Sequence, residues 1–147
     1  MPSTRAELII RRLTAGDDAL VIAAADLFDD PPKPPWVESF LTQPTHHLLM
    51  AYRDDRPVGF VTGVEVTHPD KGTEMFLYEL SVAPEHRRQG IAKALLAELT
   101  AIARARDCYD MWVLTDADNV AALAAYHSSG AADDGEHVML TWNFAPR

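Results

Sequence analysis

The stretch from Met75 to about Arg104 most constrains the fold, because it joins an apolar strand to an amphipathic helix through a short polar loop. Residues 75–82 are apolar almost throughout, which predicts a strand that is buried on both faces. From Ile91 on, apolar residues recur at helical spacing, which predicts a helix. A strand that leads directly into such a helix is typical of an α/β domain.

The other elements follow from changes in hydrophobic period and from breaker residues. The pattern predicts strands at residues 8–13, 47–52, 58–66, 111–114 and 138–144 and helices at 19–28, 36–42 and 120–129, and it leaves open a short strand around 131–133. Thr14 is the expected N-cap of the first helix, and the proline run at 31–35 ends that helix. We favour a surface connector for the proline run over a pre-ordered wall of a binding site.

Length and composition fit one folded domain over residues 1–147, because 147 residues with 48% apolar content can bury one core. No apolar run reaches the roughly 18 residues of a membrane span, and residues 1–11 lack the order of a signal peptide, so we expect a cytoplasmic protein. The net charge of -9 argues against nucleic acid or an anionic membrane as partner and favours a cationic one. The histidine spacing predicts no metal site.

The loop at residues 87–92 (Arg-Arg-Gln-Gly-Ile-Ala) lies where the predicted strand meets the helix. A helix N-terminus presents unpaired N–H groups and the positive end of a dipole, so it attracts phosphate. Gly90 permits close approach of the backbone, Ala92 leaves space, and Arg87 and Arg88 add cationic donors. The alternative is an ordinary basic turn at the start of a surface helix.

This loop carries a family resemblance. Arg87, Gly90 and Ala92 stand at the first, fourth and sixth positions of a segment that resembles the acyl-CoA signature of the Gcn5-related N-acetyltransferases, the GNAT family. The order of the predicted elements is similar to that of the family as well. The resemblance therefore covers nearly the whole chain.

A second match lies on the alanine-rich helix near the end of the chain. Asn119 and Tyr126 are seven residues apart, and Gly130 follows four residues later, which resembles an Asn-to-Tyr-to-Gly pattern of the same family. Ala131 departs from that pattern, since the family usually has a large aromatic or aliphatic residue there. The departure concerns the packing of the last strands.

The resemblance implies a mixed, mostly antiparallel central sheet that splays apart between its fourth and fifth strands and is flanked by about four helices. It implies acetyl-CoA as the cofactor, with the pantetheine arm in the splay along the fourth strand and the pyrophosphate on the basic loop. The cofactor-binding residues that it implies are Leu80, Ser81, Val82, Arg87, Arg88, Gln89, Gly90, Ile91, Ala92, Asn119 and Tyr126.

Acetyl transfer to an amine needs a group that takes the amine proton and a group that returns a proton to the thiolate. Glu79 is the candidate for the first role, because it is an ionisable residue within an otherwise apolar strand and its burial raises its pKa. Tyr126 is the candidate for the second role by its place in the family motif. The alternatives are a partly solvated carboxylate for Glu79 and a core aromatic for Tyr126.

Residues 78–92 are most similar to the aminoglycoside 3-N-acetyltransferases, which are resistance enzymes of the family. This resemblance implies acetylation of the 3-amino group of deoxystreptamine, although Glu79 stands where an Asp is expected. An aminoglycoside is a polycation, so several carboxylates must converge on it. The candidates for substrate binding are Glu79, Asp116, Asp29, Asp30 and Glu38, and general surface acidity is the alternative for most of them.

Two other functions stay open from the sequence. One is the same chemistry on another amine, such as a polyamine, an amino acid or a peptide N-terminus. The other is a binding module that keeps acyl-CoA recognition without transfer, which the presence of Glu79 and Tyr126 argues against. Dimerisation is common in the family, so a homodimer is a hypothesis.

Overall fold

The computed structural model describes residues 6–145, which form one five-stranded sheet with helices on both faces. Neighbouring strands follow chain order, and all pairs are antiparallel except the parallel pair of the fourth and fifth strands. The mixed, mostly antiparallel sheet with four flanking helices is thus confirmed. The strands are β1 (Ile9–Leu13), β2 (His46–Arg53), β3 (Arg56–His68), β4 (Gly72–Val82) and β5 (Asp110–Trp112), and the helices are α1 (Asp18–Ala23), α2 (Pro34–Leu41), α3 (Ile91–Ala105) and α4 (Val120–Ser128).

Two apolar clusters hold the helices to the sheet. On one face, Leu95 and Leu99 of α3 are fully buried against Val61 and Met75 in a cluster that also includes part of α4. On the other face, α1 and α2 cover Phe60 and the residues around it. The chain thus buries a layer on each side of the sheet, as the apolar periods of β2, β3 and α3 predict. Within residues 6–145, no helix combines the length and the apolar character of a membrane span.

Two glycines of β3 let α3 lie close to the sheet. A Cβ atom on Gly59 would lie 2.9 Å from the carbonyl oxygen of Ser81 and 3.2 Å from Cγ2 of Ile91. A Cβ atom on Gly63 would lie 2.9 Å from Cδ1 of Leu99. A side chain at Gly59 would collide with the backbone of β4 as well as with side chains of α3, whereas at Gly63 it would meet the flexible ends of Leu99 and Met75.

An extra residue in β4 changes which face its side chains occupy. Gly63 pairs with Leu77 and Thr62 pairs with Glu79, so Tyr78 has no partner on β3 and forms a β-bulge. Residues two apart in a regular strand share a face, and one inserted residue reverses that relation. Leu77 therefore joins the core under α3, whereas Glu79 lies on the opposite side, beside Thr62.

The fourth and fifth strands diverge, as predicted. β5 pairs with β4 only along Glu74, Met75 and Phe76, and β4 continues alone on that side to Val82. The prediction that β4 is buried on both faces is therefore wrong for the second half of the strand, where Tyr78 is 63% exposed. The divergence removes the neighbour that would have covered it.

The first helix begins later than its predicted N-cap. Thr14 does not cap a helix, since α1 starts at Asp18 and the backbone N–H of Thr14 instead donates to Oδ2 of Asp17 at 2.9 Å. Gly16, with φ of 96°, turns the chain between β1 and α1. The helix predicted over 19–28 ends at Ala23 and is followed by a 3₁₀ turn, Ala25–Leu27.

The predicted last strand at residues 138–144 is wrong for this structure, and so is the short strand left open at 131–133. Residues 131–145 contain no strand or helix. The physical reason is that a strand needs a hydrogen-bonding neighbour, and the segment lies away from the sheet with its side chains exposed.

We predict that Gly59→Ala destabilises the fold by about 1–3 kcal/mol, because its methyl group overpacks against backbone as well as side chains. Urea unfolding of the variant would measure this change in free energy. Val66→Thr, an exposed change on the same strand, is the control and should stay within about 0.5 kcal/mol of the parent. Equal stability of Gly59→Ala and the parent would contradict the close approach of β3 and α3.

Candidate active site

A cavity of about 160 Å³ opens between the sheet and the α1–α2 side, with Glu79 in its wall. Apart from Lys33, Thr62 and Glu79, the lining is apolar, and three aromatic rings contribute to it. The lining residues are Val21, Phe28, Pro32, Lys33, Trp36, Val37, Phe40, Leu41, Leu48, Thr62 and Glu79. The cavity thus offers one carboxylate in a largely apolar setting.

The environment of Glu79 favours its protonated form. Burial raises the pKa of the Glu79 carboxyl group, and the negative charge of Asp29 raises it further. A hydrogen bond from the Thr62 hydroxyl to Oε1 of Glu79, at 3.5 Å, opposes this rise. The same hydroxyl oxygen accepts the backbone N–H of Glu79 at 3.0 Å, so Thr62 fixes the strand at the bulge. A carboxylate with a raised pKa is suited to accept a proton near neutral pH.

The other predicted substrate-binding residues do not line this cavity. Asp29 is exposed, but it lies near enough for its charge to act on Glu79. Asp30, Glu38 and Asp116 are exposed as well, and the cavity lining includes none of them. Asp116 lies in the loop between β5 and α4.

Sequence reasoning missed the aromatic lining of the cavity. Trp36, which lines the cavity, is 71% exposed, and exposed aromatic side chains are enriched at binding surfaces. The proline run directly before Trp36 could have indicated a pre-ordered wall of a binding site, but the favoured prediction is a surface connector. Pro32 and Lys33 of this run line the cavity, so the connector also forms part of its wall.

The basic loop has the geometry of an anion site. α3 begins at Ile91 with Gly90 as its N-cap, and no side chain caps the unpaired N–H groups of its first turn. Gly90 has φ of 79°, and a Cβ atom there would meet nothing within 4 Å, so the space over the helix start is open. Arg88 also has a left-handed backbone, with φ of 61°, and both it and Arg87 are exposed.

Two buried polar atoms of this loop have no partner among the described residues. They are Nδ1 of His86 and Oε1 of Gln89. Buried polar atoms normally have a hydrogen-bond partner, so a loop with two unpaired ones is suited to a polar ligand. The groups that suit the pyrophosphate of a nucleotide-containing cofactor are the uncapped N–H groups at the start of α3 and the two arginines, which are hydrogen-bond donors.

The end of β4 lies between the loop and the cavity. Because β5 does not reach residues 80–82, the edge of the strand that faces the splay is free for a ligand. Leu80 and Val82 pack against the core cluster, and the Ser81 hydroxyl donates to the carbonyl of Leu27 at 2.8 Å. This bond ties the strand to the 3₁₀ turn that precedes the proline run.

The two motif residues of α4 have different roles in the structure. Asn119 is the N-cap of α4, and its Oδ1 accepts the backbone N–H of Ala122 at 3.2 Å. Tyr126 is buried in the cluster under α3, and burial raises the pKa of its hydroxyl. It does not line the cavity that contains Glu79, so the two predicted catalytic side chains lie on different sides of the sheet. A tyrosine with a raised pKa keeps its proton at neutral pH, as a proton donor must.

The model of the acetyltransferase (GNAT) family matches residues 17–131 of the chain. Among curated proteins, N-acetyltransferase 8 of Rattus norvegicus is 33% identical over 108 residues, which are 71% of this chain and 49% of the relative. N-acetyltransferase 8 of Homo sapiens is 30% identical over 106 residues, or 71% of this chain and 47% of the relative. The chain therefore spans about half the length of these relatives.

Solved structures share the fold over most of the chain. An aminoglycoside acetyltransferase from an uncultured soil metagenomic sample, in complex with sisomicin, has a TM-score of 0.86 at 20% identity and covers 94% of this chain and 97% of its own. An aminoglycoside N-acetyltransferase in complex with CoA has a TM-score of 0.79 at 20% identity, over 97% of this chain and 98% of its own. At these identities the likeness shows the fold.

We predict that Asp29→Asn lowers the pKa of Glu79, because it removes a negative charge that destabilises the ionised carboxylate. Carbon-13 NMR titration of the Glu79 carboxyl group would measure the shift. Asp30→Asn, at the neighbouring exposed position, is the matched control and should leave the pKa of Glu79 unchanged. The same shift in both variants would mean that net charge, and not the position of Asp29, raises the pKa.

Proposed function

Because the chain belongs to the GNAT family of acetyltransferases, we propose that it transfers an acetyl group from acetyl-CoA to an aminoglycoside, at the 3-amino group of the deoxystreptamine ring. Such a reaction removes a positive charge from the drug and would confer resistance. The observation that carries the proposal is Glu79, a half-buried carboxylate in the wall of an aromatic-lined cavity beside the splay.

The cofactor is assigned to the basic loop and the splay. The uncapped start of α3, with Arg87, Arg88 and the open space over Gly90, would hold the pyrophosphate. The backbone of residues 80–82 would pair with the pantetheine arm along its free edge. Gln89, Ile91 and Ala92 complete the contacts, and Asn119 contributes by fixing the start of α4.

Two side chains move the protons of the reaction. Acetyl-CoA supplies the acetyl group as a thioester. Glu79 takes a proton from the substrate ammonium group, directly or through a water molecule, so that the amine nitrogen forms the new bond to the acetyl carbon. The bond from that carbon to sulfur breaks, and the Tyr126 hydroxyl gives its proton to the sulfur. The acetylated nitrogen loses its second proton to solvent, and solvent takes the proton from Glu79 and reprotonates Tyr126, so that the reaction releases one proton overall.

Charge supports a cationic substrate at this site. One carboxylate at about 4 Å from an ammonium group contributes about 1 kcal/mol in water and about 4 kcal/mol at an effective dielectric constant near 20, so several are needed for a polycation. Glu79 with Asp29 provides two of them, and Asp30, Glu38 and Asp116 are assigned to the outer amines. The exposed Trp36 offers an aromatic face on which a cationic group or a sugar ring can stack.

A second candidate substrate is an amine attached to an apolar group, such as the N-terminus of a peptide or an amino acid derivative. The observation that favours it is the lining of the cavity, in which Glu79 is the single carboxylate among mostly apolar side chains. A polycation leaves such a surface unused, whereas one amine with an apolar substituent matches it.

The substrate class is tested by thiol release from acetyl-CoA in the presence of kanamycin-type and gentamicin-type aminoglycosides, spermidine, a basic peptide and an amine with an aromatic group. We predict turnover with the aminoglycosides and one added acetyl group by product mass, with NMR of the product locating it on the 3-amino nitrogen. Acetylation at another nitrogen would overturn the proposed position of transfer and leave the proposed substrate class unchanged. Turnover with only the aromatic amine would replace the aminoglycoside by the second candidate.

We predict that Glu79→Gln and Tyr126→Phe each lower kcat by about a hundredfold to ten-thousandfold, since each removes a positioned proton carrier. The affinity for acetyl-CoA, measured by calorimetry, should stay nearly unchanged. Glu98→Gln and Tyr109→Phe, both at exposed positions, are the matched controls and should keep the parent rate. An unchanged kcat in either test variant would remove that residue from its role.

A further inference from the structure

A second cavity, of about 310 Å³, is lined by residues of the hairpin that joins β2 to β3 and of the loop that precedes α3. Five of its six lining residues are polar or charged, whereas the cavity at Glu79 is mostly apolar. The lining residues are Ala6, Arg53, Asp54, Arg56, His86 and Gln89. The volume is at the lower end of the roughly 300–1,000 Å³ of small-molecule pockets. The cavity therefore has the size and the polarity of a site for a small polar molecule.

The hairpin and the splay lie on opposite sides of the end of β4. β3 pairs with one edge of β4, where Gly59 is opposite Val82, and the backbone N–H of Ala83 donates to the carbonyl of Val58 at 2.8 Å. The other edge of residues 80–82 borders the splay, which is assigned to the pantetheine arm. The second cavity is therefore separate from the path proposed for that arm.

Two arginines are held together at the end of the hairpin. Arg53 and Arg56 are directly opposite in the register of β2 and β3, and the two residues of the turn between them, Asp54 and Asp55, both have positive φ. Like charges that lie directly opposite on neighbouring strands destabilise a sheet. No ion pair among residues 6–145 includes either arginine. The hairpin thus keeps two positive charges side by side without a carboxylate in contact.

Three buried polar atoms of the lining have no hydrogen-bond partner among the described residues. They are Nε of Arg53, Nδ1 of His86 and Oε1 of Gln89. The part of the chain that the structure describes contains five such side-chain atoms, so most of them belong to this one cavity. Buried polar atoms are normally paired with protein or with ordered water. Unpaired atoms from both the hairpin and the loop therefore indicate a ligand that contacts both elements.

Each of these three side chains can donate a hydrogen bond into the cavity. Nε of Arg53 always carries a proton, whereas Nη1 of the same side chain already donates to the carbonyl of Ala6. A neutral histidine carries its proton on either ring nitrogen, so Nδ1 of His86 can donate. Rotation of the Gln89 amide by about 180° puts Nε2, a donor, in the place of Oε1. Three donors beside the guanidinium group of Arg56 match an anion with several oxygens, and the two fixed positive charges disfavour a cation.

We propose that this cavity binds a phosphate-type oxyanion, at a site separate from that of the cofactor pyrophosphate at the start of α3. Guanidinium groups bind such anions through charge-assisted hydrogen bonds. A bound anion would neutralise the opposed charges of Arg53 and Arg56 and would join the hairpin to the loop through His86 and Gln89. It would therefore hold, from the side of β3, the loop whose other side is assigned to the pyrophosphate. The site does not depend on which amine accepts the acetyl group.

The first experiment titrates inorganic phosphate into the full chain by calorimetry, at constant ionic strength. Saturating dephospho-CoA is present, which fills the pyrophosphate site but lacks the 3′-phosphate of CoA. We expect one saturable site. Arg56→Gln should lower the affinity about tenfold or more, since it removes a charge-assisted hydrogen bond. Arg104→Gln removes the same charge from the exposed last turn of α3 and is the matched control, which should leave the affinity unchanged.

The second experiment identifies the source of the oxyanion, which is either free phosphate or the 3′-phosphate of CoA. CoA replaces dephospho-CoA in the same titration. If the cavity takes the 3′-phosphate, CoA abolishes phosphate binding, and Arg56→Gln weakens the binding of CoA but not of dephospho-CoA. If the cavity takes free phosphate, phosphate binds equally well with either compound present. Both results support an oxyanion site at the hairpin.

Thermal unfolding gives a further measurement and checks that the variants are folded. Phosphate should raise the Tm of the parent more than chloride does at the same ionic strength, because a ligand of the folded state stabilises it. Arg56→Gln should lose this increase and should unfold in chloride at no lower a Tm than the parent, since it removes one of two opposed like charges. An equal increase in parent and variant would overturn the proposal, and so would phosphate binding that Arg88→Gln abolishes and Arg56→Gln leaves intact. None of these measurements involves acetyl transfer, so failure of the proposed reaction would leave their outcome unaffected.

Discussion

The single extra residue in β4 is the constraint on which the site depends. Without the bulge at Tyr78, Glu79 would share the face of Leu77 and would be directed into the apolar core under α3. A charged group in that core would be very costly unless it were neutralised. With the bulge, the carboxylate reaches the cavity on the opposite side, where Thr62 holds both its backbone and its side chain. One short segment of β4 therefore contributes Leu77 to the core and Glu79 to the cavity.

The divergence of β4 and β5 acts together with this bulge. It leaves the edge of residues 80–82 unpaired between the cationic loop and the cavity with its raised-pKa carboxylate. The chain as a whole is negatively charged, so it repels anions in general. The two arginines of the loop are a local exception at which an anion can bind. Opposite charge preferences thus lie at two ends of one short strand segment.

Much of this arrangement was predictable from the sequence, because periodicity and glycine spacing are local signals. β2, β3, α3, α4 and the basic loop lie where the patterns put them, to within a few residues. The bulge was not predictable, since the pattern of one strand does not count the residues of its neighbour. The last strand failed for a related reason: residues 138–144 have the propensity of a strand, but propensity does not supply a partner. Trp36 and Phe40 lie on the helix predicted at residues 36–42, whose pattern does not indicate that they line a cavity.

The bond from Ser81 to the carbonyl of Leu27 joins the strand that borders the splay to the turn that leads into the cavity wall. A ligand that shifts one of these two elements must therefore strain or relax the other. Such a coupling is reciprocal. If a ligand in the splay changes the affinity of the cavity for a second ligand, the second ligand changes the affinity of the splay by the same factor. One hydroxyl group thus connects the two places where ligands would bind, whichever ligand binds first.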